Sequence, residues 1–271
     1  MSEPRIRVGV GGWNFEPWRG TFYPDGLSQK KELAYASSRL SAIEINSTYY
    51  GSQKAETFAR WRDETPDDFV FSVKASRFAT NRRVLADAAD SVERFIGSGI
   101  AELGPKLGPI VWQFAPSKVF DPGDFEAFLK LLPTSLAGRP LRHALDVRHP
   151  SFMDADFLAL ARRHRCATVF TESDDYPSFA DQTADFVYTR VMRSSGGEAL
   201  GLPAATLDAL ADCARVWQQG SEPADVPRVE PAGPTVAPRD VFIYFISGAK
   251  EKNPAAAMAL LERLKAAESR T

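Results

Sequence analysis

Hydrophobic and polar positions follow two alternating periods along the chain. Short runs rich in Val, Ile, Phe and Tyr, each closed by Gly, Pro, Ser, Asn or a charge, read as strands. They fall at Ile6–Gly11, Ala42–Asn46, Val70–Lys74, Ile110–Phe114, His143–Arg148, Ala167–Glu172, Phe186–Val191 and Val241–Ile246. Between them, stretches near 28–40, 55–64, 84–97, 124–132, 154–164, 203–218 and 254–267 carry the three- and four-residue spacing of amphipathic helices. In 154–164, for instance, Phe157, Leu158 and Ala161 share one face. Asn253-Pro254 reads as an N-cap followed by proline in the first helical position.

Strand–helix alternation from end to end predicts parallel βαβ units, either closed into a TIM-type (β/α) barrel or wound as an open sheet. Seven or eight parallel strands over 271 residues suit the barrel. One unit is irregular, because 173–185 joins the sixth and seventh strands without a helical period. A second departure is 221–238, which holds five prolines and no apolar period. It reads as a surface excursion within one barrel domain spanning 1–271, since another strand and helix follow it.

The strands themselves carry the chemistry. Buried parallel strands are ordinarily near-continuous apolar runs, yet here polar groups occupy alternate positions. In AIEIN, Ile43 and Ile45 oppose Glu44 and Asn46; in FSVK, Phe71 and Val73 oppose Ser72 and Lys74. In LDVR, Leu145 and Val147 oppose Asp146 and Arg148, while Tyr188 and Arg190 alternate with Val187, Thr189 and Val191. Gln113 alternates with Trp112 and Phe114. With the apolar set facing the helices, Glu44, Asn46, Lys74, Gln113, Asp146, Arg148 and Arg190 face the barrel interior. All lie late in their strands, at the end where barrel active sites form. Three cations and two anions then converge, which is costly unless they pair or meet a ligand.

That arrangement predicts a net-basic pocket for a small anionic ligand, with arginines as bidentate clamps. Glu44 and Asp146 are the candidates for acid–base catalysis, or else they orient the arginines. Asn46, Lys74, Gln113, Arg148, His149 and Arg190 are the candidate substrate-binding residues. Desolvated beside other cations, Lys74 is also a candidate Schiff-base amine, though ion pairing is its plainer role. His149 with Glu44 and Asp146 would be a meagre metal set, lacking HxH or HxxE spacing, and no metal or cofactor is expected. Trp13, Trp18, Phe22, Tyr23, Tyr49 and Tyr50 are either an aromatic rim for a sugar or base, or core. Arg193–Gly197 and the Asn253-Pro254 helix start sit where phosphate sites occur in barrels. Gly9-x-Gly11-Gly12 runs into Trp13 and Asn14 without opening a helix, so it is not a dinucleotide fingerprint.

Composition narrows the classes. With 33 Lys+Arg against 35 Asp+Glu, the net charge of −2 argues against a general nucleic-acid surface. Cys166 and Cys213 form no CxxC, so no disulfide framework or zinc cluster is expected. No secretory signal and no apolar run of membrane-spanning length is visible, which predicts a cytoplasmic protein.

The segments GGW…PWRGTFYP (11–24), EINSTYY (44–50), FSVK (71–74), LGPIVWQFAP (107–116) and LDVRHPSF (145–152) together resemble the domain of unknown function 72, the YecE-like proteins. The resemblance implies a TIM-type barrel and no established reaction. It also implies that Glu44, Asn46, Lys74, Gln113, Arg148, His149 and Arg190 fall on the family's polar signature positions. Asp146 stands where relatives often carry Glu. After Arg190 the family's Arg-x-His-Gly pattern is replaced by Val191-Met192-Arg193, and the aromatic–Asn-Asn pattern of the last strand by Phe245-Ile246-Ser247. Two polar contributions to the pocket are therefore expected to be missing. That leaves three functional classes: an enzyme on a small phosphorylated or sugar-like anion, a non-catalytic ligand binder or sensor, and a divalent-metal hydrolase or isomerase.

Overall fold

A computed structural model describes residues 4–268. Its eight barrel strands are β1 (Ile6–Gly11), β2 (Ala42–Ile45), β3 (Val70–Lys74), β4 (Leu107–Gln113), β5 (His143–Asp146), β6 (Ala167–Glu172), β7 (Phe186–Val191) and β8 (Asp240–Phe245). Each pairs in parallel with its sequence neighbour, and β8 pairs back onto β1 with Val8 opposite Ile243, so the sheet is a closed barrel. The main helices are α1 (Glu32–Arg39), α2 (Ala55–Asp63), α3 (Ala89–Ile96), α4 (Pro122–Leu131), α5 (Ala155–Arg163), α6 (Ala204–Gln218) and α7 (Asn253–Glu268). Their starts follow local chemistry: the Asp121 carboxylate accepts the Asp124 amide ahead of Pro122, and Asp154 accepts the Asp156 amide.

Strand alternation sorts the apolar residues into two layers. Ile43, Ile45, Phe71, Val73, Trp112, Leu145, Val187 and Ile243 face outward into the core shared with the helices. Ala42, Val111, Ala144, Ala167, Phe186, Tyr188, Phe242 and Tyr244 fill the lumen. Between β4, α4 and α5 the outer core is a continuous aromatic stack in which Phe125 meets Phe114, Phe120, Phe152 and Phe157 at centroid distances of 5.1–5.9 Å. Phe157, Leu158 and Ala161 are all fully buried, as their spacing predicts.

The irregular unit between β6 and β7 contains no helix. Instead Asp181, buried in that connection, accepts the amides of Val229 and Glu230 at 2.8 and 2.9 Å, and the Ala180 amide donates to the Pro227 carbonyl. The proline-rich 221–238 segment is thereby tied to the helix-free connection between β6 and β7. Its missing period reflects hydrogen bonding to another loop in place of packing by a repeating face.

Asn253 departs from its expected capping role. Already helical, it uses its amide to donate to the carbonyls of Phe245 and Ser247, while its Oδ1 accepts the Ser194 hydroxyl at 2.7 Å. It ties the end of β8 to the loop after β7. No helix among the described residues is long and apolar enough to cross a membrane.

Candidate functional site

The C-terminal half of the lumen is polar because inward positions late in β2, β5 and β7 carry ionisable groups. Arg190, on β7, is the centre. Its Nη1 donates to Asp146 at 2.6 Å and to Gln113 Oε1 at 3.1 Å, and its Nη2 donates to Glu44 at 2.8 Å. The Tyr188 hydroxyl completes the Glu44 carboxylate at 2.7 Å. Asp146 also receives Arg148 Nη2 at 3.1 Å and lies 3.4 Å from the Thr171 hydroxyl. Glu44 and Asp146 are fully buried. Burial pushes the Asp146 carboxyl up, but the guanidiniums of Arg148 and Arg190 outweigh it and hold the group below its ordinary value. The Tyr188 hydroxyl is driven well above its ordinary value by burial and by Glu44. Burial alone would lower Arg190, yet Glu44 and Asp146 leave its guanidinium a still weaker acid.

Above this layer opens a cavity of about 640 Å³. Lys74, Arg148, Arg190 and Lys250 line it, and among the described residues no Asp or Glu does. Gly11 and Gly12 at the end of β1 form one wall; a methyl group at Gly11 would come within 2.9 Å of the Asn46 amide. Trp13, Asn46, Tyr49, Tyr50, Gln113 and Asn253 complete much of the rim.

Lys74 departs from its expected ion pair. Among the described residues its ammonium has no hydrogen-bond acceptor and no carboxylate partner; it rests 4.1 Å from the centroid of the Tyr49 ring. The residue is 7% exposed. Burial first, and the Arg190 cation second, push its amine down to about 8. Two contacts fix this geometry. The Thr48 hydroxyl donates to the Lys74 carbonyl at 2.7 Å, docking the helical turn 47–50 on the end of β3, and the Asn81 amide holds the Tyr49 hydroxyl at 3.3 Å.

Of the residues singled out in the sequence, Asn46, Lys74, Gln113, Arg148 and Arg190 line the cavity, while Glu44 and Asp146 lie in the ionic layer beneath it. His149 is turned elsewhere: its Nδ1 faces the Ser151 hydroxyl at 2.8 Å and caps the turn 150–152. It does not line the cavity, because Pro150 and the turn it starts fix the ring locally. Trp18, Phe22 and Tyr23 are core, whereas Trp13, Tyr49 and Tyr50 line the rim. Sequence reasoning passed over three contributors. Tyr188 occupies an inward position and was recoverable from the β7 alternation. Tyr176 over Arg148 at 4.3 Å and Lys250 come from connections without a period. No group of three or more His, Cys, Asp or Glu converges with metal-binding geometry among the described residues.

A family model described as protein of unknown function DUF72 matches residues 7–271. The chain belongs to the DUF72 family. Among curated proteins, UPF0759 protein YecE of Escherichia coli (strain K12) is 29% identical over 147 residues, covering 54% of this chain and 50% of that protein. UPF0759 protein YunF of Bacillus subtilis (strain 168) is 29% identical over 116 residues, 41% of this chain and 40% of YunF. The chain thus spans half or less of the length of the curated relatives it matches. Solved DUF72 structures share the fold along their whole length. That from Thermotoga maritima has a TM-score of 0.69 at 20% identity, covering 97% of this chain and 99% of the other. That from Enterococcus faecalis has a TM-score of 0.70 at 16% identity, covering 96% of both chains. A xylose isomerase-like TIM barrel/4-hydroxyphenylpyruvate dioxygenase fusion protein aligns with a TM-score of 0.51 at 12% identity, covering 99% of this chain and 44% of that one. This last likeness concerns the barrel architecture alone.

Proposed function

We propose that this DUF72 protein is an enzyme acting on a small anionic substrate, phosphorylated or sugar-like, held in the cavity at the C-terminal ends of the strands. The observation that carries the reading is the charge of the lining: among the described residues, four cationic side chains and no carboxylate surround about 640 Å³. The carboxylates below pair with Arg190 and Arg148 and order their guanidiniums. Arg190 has used three of its five donors, and among the described residues its Nε has no partner. Arg148 braces on Asp146 and the Tyr176 ring, a stance suited to clamping a phosphate or carboxylate. Asn46 and Gln113 supply neutral donors for hydroxyl groups.

Calorimetric titration with inorganic phosphate, a hexose phosphate and the neutral hexose tests this. The two anions bind and the neutral sugar binds at least about tenfold more weakly, while Arg148→Ala weakens phosphate binding by about tenfold, the loss of one charge-assisted contact. Equal binding of the neutral and phosphorylated sugar, or no binding of either anion at millimolar concentration, would sink the reading.

A second reading, a ligand binder or sensor without catalysis, is favoured by one observation: Glu44 and Asp146 are fully buried and saturated by Arg190, Arg148 and Tyr188. In that state neither is free to move a proton on a ligand. Saturable ligand binding with no turnover across a phosphoester and sugar-phosphate panel decides for the binder. Among the described residues the divalent-metal reading has no convergent donor set to support it.

A further inference from the structure

The amine of Lys74 is the group in this cavity whose chemistry the anion-binding reading leaves unused. A lysine recruited only to hold a buried carboxylate would be paired, and Glu44 and Asp146 are close enough to act on its charge. Both are instead taken by arginines, and among the described residues the Lys74 ammonium is left with the Tyr49 ring alone. Three features follow. The amine is sheltered from bulk water, at 7% residue exposure. It opens onto a cavity large enough for a small metabolite. It also shares that cavity with Arg148 and Arg190, which disfavour its protonated form. These are the conditions that turn lysine from a point charge into a nucleophile.

We infer that Lys74 Nζ forms a Schiff base with the carbonyl carbon of an anionic aldehyde or ketone, whose carboxylate or phosphate is held by Arg148 and Arg190. The inference rests on the anionic-substrate reading and narrows it to carbonyl compounds. The neutral amine adds its lone pair to the carbonyl carbon, and the carbonyl π pair moves to oxygen. One proton passes from nitrogen to that oxygen and a second comes from solvent. Water departs with the C–O bond pair, leaving C=N with one proton on a cationic nitrogen. One amine, one carbonyl compound and one proton thus give one iminium and one water, with no change of oxidation state. At neutral pH a useful fraction of the Lys74 amine is already unprotonated, since it sits at about 8. A surface lysine near its ordinary value offers roughly 300-fold less. The turn 47–50 also keeps Tyr49 against the amine, so the attacking nitrogen enters from a fixed direction.

Glyoxylate, a small anionic aldehyde, is the probe, with cyanoborohydride to reduce any iminium to a stable secondary amine. The expected result at pH 7 is one reduced adduct per chain, mapped by peptide mass spectrometry to Lys74 and formed about tenfold or more faster than on surface lysines. Inorganic phosphate should slow it by competing for the arginines. Lys74→Arg, which keeps a cation but cannot condense, should lose the adduct. Labelling scattered over surface lysines with Lys74 untouched would overturn the inference, and this map on the unaltered protein decides even where the variant fails to fold. Calorimetry without reductant separates the two claims. Saturable glyoxylate binding with no trapped adduct defeats the Schiff base and leaves anion binding standing. An adduct at Lys74 that phosphate does not slow supports the nucleophile and defeats the anion clamp.

Discussion

Arg190 and Lys74 sit in one barrel lumen and meet opposite fates. Arg190 takes both inward carboxylates, so removing one strands part of a buried network. Asp146→Asn is expected to destabilise the protein by about 3–5 kcal/mol, the usual cost of breaking a buried pair from one side; urea unfolding at pH 7 measures it. For Lys74 the sign reverses. Its amine is held at about 8, below the ordinary lysine value, so the folded state binds that proton more weakly than the unfolded state. The cost of burying the charge is felt fully below about pH 8 and fades as pH rises towards the ordinary value. Lys74→Met should therefore raise stability at pH 7, by roughly 3 kcal/mol at most, and gain little at pH 10. A gain that is equal at both pH values, or absent at pH 7, contradicts this account of the residue. The inward positions of Glu44, Asp146 and Arg190 were legible because strand alternation has a fixed period of two. Which cation the carboxylates choose was not, because pairing depends on distances across the barrel, between strands far apart in sequence.

The regular elements were the legible part of the fold. Strands β1, β3, β6 and β7 have the boundaries their patterns predict; β4 begins at Leu107 and not at Ile110, since its first residues run along β3 before the apolar period starts. The turns 47–50 and 77–80 and the helical segment 100–106 escaped because they are too short or too kinked to show a face. One of them carries Tyr49 and so shapes the site. Tight approach between strands is also invisible to period. At Gly9 a methyl group would lie 1.9 Å from the Ala42 carbonyl oxygen, inside the β1–β2 contact. Gly9→Ala must push the two backbones apart, and we expect a loss at or above the upper end of the roughly 1–3 kcal/mol typical of overpacking. A thermal melt within error of the unaltered protein would show that β1 can move without cost. In the outer core, Phe125→Ala should cost about 3–5 kcal/mol, because Phe114, Phe120, Phe128, Phe152 and Phe157 lose the partner they share.

At the scale of the molecule, a chain with net charge −2 gathers four cations around one cavity at one end of its barrel. A bound anion stabilises the folded state by mass action, about 2.7 kcal/mol at a hundredfold excess over its dissociation constant. Phosphate should therefore raise the melting temperature more than chloride of equal ionic strength, and Arg148→Ala should erase much of that difference. Equal effects of the two salts would point to general screening. Closure of the barrel has a further consequence, for the order in which the chain is made. Strand β1 meets β2 soon after both leave the ribosome, but its other neighbour, β8, ends at Phe245. At the usual pace of synthesis that wait is on the order of ten seconds or more. For most of it Glu44 is already present while Arg190 is not, so the nascent lumen holds an unpaired carboxylate. Such a half-barrel stays wetted, and the dry ionic layer forms only when the last quarter of the sheet arrives.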